Sequence, residues 1–172
     1  MNYTFDPVRI SIEFLVLSVI LATFTLFRIK PDKKSIRSGV ISAACIAATD
    51  FVIESSADRL ALWHLHGALP LLGVPLVFTA AWVFNGLAFC VLWGYRIKQG
   101  GNKKILYVIF ALSGAVIGTA WNWLGSTYLG VLTFELGNLF HAFLVWLFLT
   151  PFAIAIYEKF STSVDKIPVH KT

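Results

Sequence analysis

The chain has 172 residues, 58% of them hydrophobic and 13% charged, with a mean hydropathy of +0.77 and a formal net charge of +5. A soluble domain averages about 45–50% apolar and about 25% charged residues, so this composition exceeds what one small aqueous core absorbs and calls for lipid as a second apolar solvent. The positive charge sits in short loops between apolar runs rather than in a polar segment interleaved with aromatics, which excludes a nucleic-acid surface.

Five apolar runs are long enough to span a bilayer, which takes about 20 residues in a helix. The first, Ile10–Phe27, follows a single basic residue, Arg9, and has no small-x-small cleavage site before Arg28. It is therefore expected to stay as a helix and not to be cleaved as a signal peptide. The others are Gly39–Leu62, Val74–Tyr95, Ile105–Leu124 and Gly137–Tyr157. Backbone groups in lipid must be satisfied within each run, so the expected fold is an all-α polytopic bundle in one domain, residues 1–159. The alternating strands of about 10 residues that build a membrane barrel are absent. Residues 160–172 read as a polar tail, and Pro151 predicts a kink in the fifth helix.

Basic residues set the expected sidedness. Arg28, Lys30, Lys33, Lys34 and Arg37 follow helix 1; Arg96, Lys98, Lys103 and Lys104 follow helix 3; Lys159, Lys166 and Lys171 follow helix 5. With five spans, these twelve of the fourteen basic residues share one side, which the positive-inside rule places in the cytoplasm, with the N-terminus outside. A prokaryotic plasma membrane is the expected setting. Trp63, Trp121, Trp123 and Tyr128 fall at the outer boundary, where interface aromatics belong. Helix 2 carries SGVISAACIAATDF and helix 4 SGAVIGTAWNW, a candidate parallel repeat of helix pairs 2–3 and 4–5. Small residues four apart in helix 2 (Ser38 and Ser42, Ala43 and Ala47, Ala44 and Ala48) predict packing faces. Cys45 and Cys90 stand alone inside apolar runs and read as small buried hydrophobes.

The polar residues inside the apolar runs carry the functional signal. Asp50, Glu54 and Asp58 are four residues apart, and each such step turns a helix by only about 40 degrees, so they form one stripe. Asp50 is expected near mid-membrane, where an ionised group costs several kcal/mol unless paired, hydrated or protonated. Glu54 and Asp50 are thus candidate proton donors or ligand contacts. The competing reading is a structural hydrogen-bond ladder helped by Arg59 and Ser55. Glu13, Asn122, Glu135, Asn138 and His141 are expected at the outer level too, with Asp58, Asn85, Trp63 and Trp82 completing an outward-facing polar pocket. His64, His66 and His141, with Glu135, offer imidazole and carboxylate chemistry suited to zinc or iron, but the spacing matches no metal signature, so no metal or other cofactor is expected. Only His141 lies within a helix, which speaks against haem. No GxSxG, Walker or HExxH motif is present.

Three stretches resemble integral membrane carotenoid-modifying proteins, of the carotenoid hydratase and lycopene cyclase-domain type: ATDFVIESSADRLALW (48–63), GVPLVFTAAW (73–82) and GTAWNW (118–123). The resemblance implies an isoprenoid ligand and a proton-donating acid at Glu54. The family's second acid would fall at Asn122, which cannot donate a proton in that way, and the chain is several helices shorter than those hydratases.

Three roles follow as expectations. The first is a protein that binds, and protonates or hydrates, an isoprenoid-type lipophilic molecule. The second is a non-catalytic subunit or assembly factor, partnered by its own copies or by another membrane chain. The third is a transport subunit for a cation or small solute.

Overall fold

The computed structural model describes residues 5–163. The last two basic residues of the tail, Lys166 and Lys171, lie outside them. Five long helices account for the apolar runs: α1 (Pro7–Ile29), α2 (Lys33–Arg59), α3 (Leu76–Lys98), α4 (Lys103–Leu124) and α5 (Leu139–Ser163). All five are long and apolar enough to cross a bilayer, so the protein is a multi-pass membrane protein of helical-bundle class.

Helix ends follow capping chemistry rather than hydropathy. Asp6 accepts from the amide of Val8 at 3.0 Å and precedes Pro7, which starts α1 before its apolar run. Asp32 accepts from the amide of Ser35 at 2.7 Å and starts α2 six residues before Gly39. At the other end α2 stops at Arg59 instead of Leu62, because Ala61 turns left-handed at φ 52°. Val74 and Pro75 form a short strand, not the first turn of α3. The expected polar tail begins late, since α5 continues through Phe160 to Ser163, and it also runs on through Pro151.

The connectors at one end of the bundle hold four short strands. Within the first, β2 (Pro70–Leu71) pairs with β3 (Val74–Pro75). Its β1 (Trp63–Leu65) pairs antiparallel with β4 (Leu132–Phe134) of the second connector, tying the α2–α3 hairpin to the α4–α5 hairpin. The basic loops gather at the opposite end. There Lys98 at the end of α3 bonds Asp32 at 2.6 Å, and Lys103 at the start of α4 bonds Glu158 of α5 at 2.8 Å. The Lys98 ammonium and the Ser35 bonds hold the Asp32 carboxyl below the usual carboxylate range.

In cross-section the helices follow the order α1, α3, α2, α5, α4, with α2 in the middle against both α3 and α5. Close approach relies on small residues. Ser42 is fully buried and donates to the carbonyl of Ala153 at 2.7 Å, and Ala43 faces Gly86. Ser38 and Ala47 are buried as their spacing predicts, whereas Ala44 and Ala48 face outward. Cys90 is buried, but Cys45 is exposed on the apolar flank, contrary to its reading as a buried residue. The α4–α5 contact rests on Gly114 and Gly118, spaced as GxxxG, against Thr150 and Trp146.

A methyl group at Gly118 would overlap the indole ring of Trp146, a stiff side chain with little room to yield. Gly118→Ala is expected to destabilise the bundle by about 1–3 kcal/mol, the usual scale of overpacking. Thermal unfolding in detergent checks this, and a midpoint equal to that of the wild type would refute the tight α4–α5 seat.

Candidate functional site

The three carboxylates of α2 lie along one stripe that runs from the bundle interior at Asp50 to the surface at Asp58, and each meets a different environment. Asp50 is only 4% exposed, and its Oδ1 has no hydrogen-bond partner among the described residues. One turn later Glu54 accepts from the indole Nε1 of Trp63 at 2.5 Å. Asp58, a further turn on, bonds His64 Nδ1 at 2.6 Å, and Glu135 approaches the other ring nitrogen at 3.2 Å. Gly73, at φ 81°, lies directly against the Asp58 carboxylate, where any Cβ would collide with it. Ser55 and Arg59 do not join these carboxylates: Ser55 Oγ is buried without a hydrogen-bond partner among the described residues, and Arg59 is exposed.

Two cavities meet at Asp50. The larger, of about 400 Å³, is an apolar cleft running from the middle of the bundle toward the basic end. Residues of all five helices line it, among them Leu21, Ile46, Phe89 and Leu149. Leu17 and Leu21 on α1 and Ile117 on α4 are exposed at its rim, so it opens sideways onto the apolar flank where those helices leave a gap. Its few polar groups include Asp50, Thr150, and Asn85, whose Nδ2 donates to Ser18 Oγ at 3.1 Å. The smaller cavity, of about 20 Å³, lies toward the connectors and is bordered by Asp50, Glu54, Thr79 and Asn122. Trp82, Trp121 and Trp146 border both and form the partition. Phe14 stacks on Trp121 at 4.0 Å and meets Trp82 at 5.5 Å, while Trp82 lies 4.4 Å from Trp146.

The expected outward polar pocket is therefore divided and mostly closed. Asp50, Glu54, Trp82, Asn85 and Asn122 come together around the two cavities. Asp58 and Glu135 are engaged at the surface by His64. Asn138 caps α5, accepting from the amides of Phe140 and His141 at 3.0 and 3.3 Å, and it bonds the exposed His141 ring at 3.0 Å. Glu13 pairs with Arg9 on the exposed face of α1. His66 bonds Thr133 at 3.0 Å, and the described residues contain no cluster of three or more His, Cys, Asp or Glu placed to hold a metal. Trp63 and Trp121 are turned inward instead of marking an interface; Trp123 and Tyr128 stay exposed and meet edge to face at 5.4 Å.

Sequence reasoning passed over Phe14, Thr79 and Trp146. Trp146 was accessible through the Gly114–Gly118 spacing, which announces a close partner on a neighbouring helix. For Phe14 and Thr79 the sequence holds no comparable signal. Fold and site together define a multi-pass helical membrane protein whose flank-facing apolar cleft ends at a buried carboxylate. No family model matches the chain, and no curated protein or solved structure matches it.

His64 joins the end of α2 to both connectors. Its hydrogen bond to Asp58, helped by the Glu135 charge, raises its pKa above the ordinary value. The charged clasp is then complete below about pH 6.5, the unperturbed histidine value, and its contribution is lost as pH rises through the raised value. The thermal midpoint is expected to fall over that interval in the wild type and to stay flatter in His64→Gln. Identical pH profiles for the two proteins would show that the clasp contributes nothing.

Proposed function

We propose that the protein binds a lipophilic, single-chain molecule of isoprenoid type, which enters the cleft sideways from the bilayer and places its polar end at Asp50. The observation that carries this reading is an apolar cavity of about 400 Å³ ending on a buried carboxylate oxygen that has no partner among the described residues. Ligand sites are mostly apolar clefts with a few convergent polar groups, which is the make-up of this one. The exposed rim of Leu17, Leu21 and Ile117 would let a chain pass without crossing a polar surface. The flat faces of Trp82, Trp121 and Trp146 suit a rigid unsaturated chain. The short resemblance to carotenoid-modifying proteins points to the same ligand class.

Lipid extracted from purified protein is expected to contain a stoichiometric lipophilic species beyond bulk phospholipid. Leu21→Trp, which fills the mouth of the cleft, should reduce its recovery by about tenfold, the effect of roughly 1.4 kcal/mol. Mass spectrometry that finds only bulk phospholipid in both proteins would overturn the reading.

The sidedness is part of the same proposal, with the basic end in the cytoplasm and the connector strands outside. In a Cys45→Ser background, a membrane-impermeant maleimide added to intact cells should label Thr127→Cys and leave Gln99→Cys unlabelled until the cells are opened. The reverse pattern would invert the topology.

A further inference from the structure

The small cavity holds more acceptor chemistry than a neutral lipophile requires. Asp50 and Glu54 both border it, and among the described residues no Lys or Arg lines either cavity. Two hydrogen-bonding atoms at the site, Asp50 Oδ1 and Thr79 Oγ1, are buried with no partner among the described residues. Glu54 has one carboxylate oxygen committed to Trp63. The remaining walls combine the aromatic rings of Phe78, Trp82, Trp121 and Trp146 with several aliphatic side chains and the Asn122 amide. Carboxylates without a basic partner, set among aromatic faces in a low-dielectric medium, make a seat for a cation.

Size narrows the cation. A cavity of about 20 Å³ admits one water-sized group, for which about 10–15 Å³ suffices. A primary ammonium group is of that size and offers three donors and no acceptor, which complements oxygens that lack partners. A trimethylammonium group is too large and has no N–H to donate. Asp50 and the three partition tryptophans border both cavities, so a head in the small one and a chain in the cleft would meet at Asp50, with the indoles turning aside to let the chain through.

Building on the cleft as the chain-binding site, we propose that the ligand is a lipophilic primary amine, its ammonium head seated between Asp50 and Glu54 beyond the tryptophan partition. A carboxylate or phosphate head would be repelled there, and a hydroxyl head would leave the carboxylate pair uncompensated.

The test uses the full chain in phosphatidylcholine nanodiscs and dodecyl chains brominated at the tail, which quench tryptophan fluorescence on binding. The heads are primary ammonium, trimethylammonium, hydroxyl and carboxylate. Each affinity is divided by that of Asp50→Asn, which cancels partition into the lipid. The primary amine is expected to bind the wild type about tenfold more tightly than Asp50→Asn, as a charge-assisted hydrogen bond allows. The alcohol should show little difference between the two proteins, and the trimethylammonium probe should bind less tightly than the primary amine. Saturable binding of the alcohol with no preference for the amine would overturn the ammonium seat and leave the cleft standing. An amine preference that survives in Asp50→Asn would also overturn it. Failure of every probe to quench saturably would overturn the cleft reading itself. Should Asp50→Asn fail to fold, Glu54→Gln is read in the same way.

Discussion

A carboxylate in the hydrocarbon layer costs several kcal/mol unless protein, water or a counter-charge takes the place of lipid around it. Asp50 imposes that requirement on this bundle, and the arrangement of the helices answers it. Its helix, α2, sits in the middle of the cross-section, with α3 on one side and α5 on the other. Asp50 is thereby kept from the acyl chains, at 4% exposure, with no Lys or Arg among the described residues that line its cavities.

The central position works only because neighbouring backbones come close. Ala43 against Gly86, Ser42 on the Ala153 carbonyl, and Gly114 and Gly118 under Thr150 and Trp146 bring α3, α2, α5 and α4 together along one curved layer. Small residues matter here because lipid tails are as apolar as the helix faces, so association depends on packing and interhelical hydrogen bonds. At the basic end Phe110 of α4 packs on Phe89 and Trp93 of α3 and closes the layer, and beyond that seam the gap between α1 and α4 becomes the cleft. Near the connector end that gap is bridged by the stacking of Phe14 on Trp121, which also completes the aromatic partition above the cleft.

The two ends of the bundle are held by different chemistry. At the basic end, the Lys98–Asp32 and Lys103–Glu158 pairs link helices through exposed charges that water and salt weaken. At the other end, backbone pairing of β1 with β4, the Trp63–Glu54 bond and the Asp58–His64–Glu135 contacts join both connectors to α2. The carboxylate stripe therefore changes character along its length: Asp50 has an oxygen without a partner among the described residues, Glu54 is tethered by an indole, and Asp58 belongs to a surface clasp.

The number of spans, the bundle class and the stripe of Asp50, Glu54 and Asp58 were legible in the amino-acid order, because hydropathy, the 3.6-residue period and the expense of charge in lipid are local quantities. Trp82, Asn85 and Asn122 were also picked out as polar or amphipathic groups in apolar runs, and they do reach the cavities. What lay beyond the sequence was which helices become neighbours. That choice draws Trp63 and Trp121 inward and leaves His141 and Asn138 as a surface cap. It also opens an apolar cleft toward the flank where a polar outward pocket was expected. Those outcomes depend on contacts between residues far apart in the chain, such as Phe14 with Trp121 and Gly118 with Trp146, and no local pattern contains both partners of such a pair.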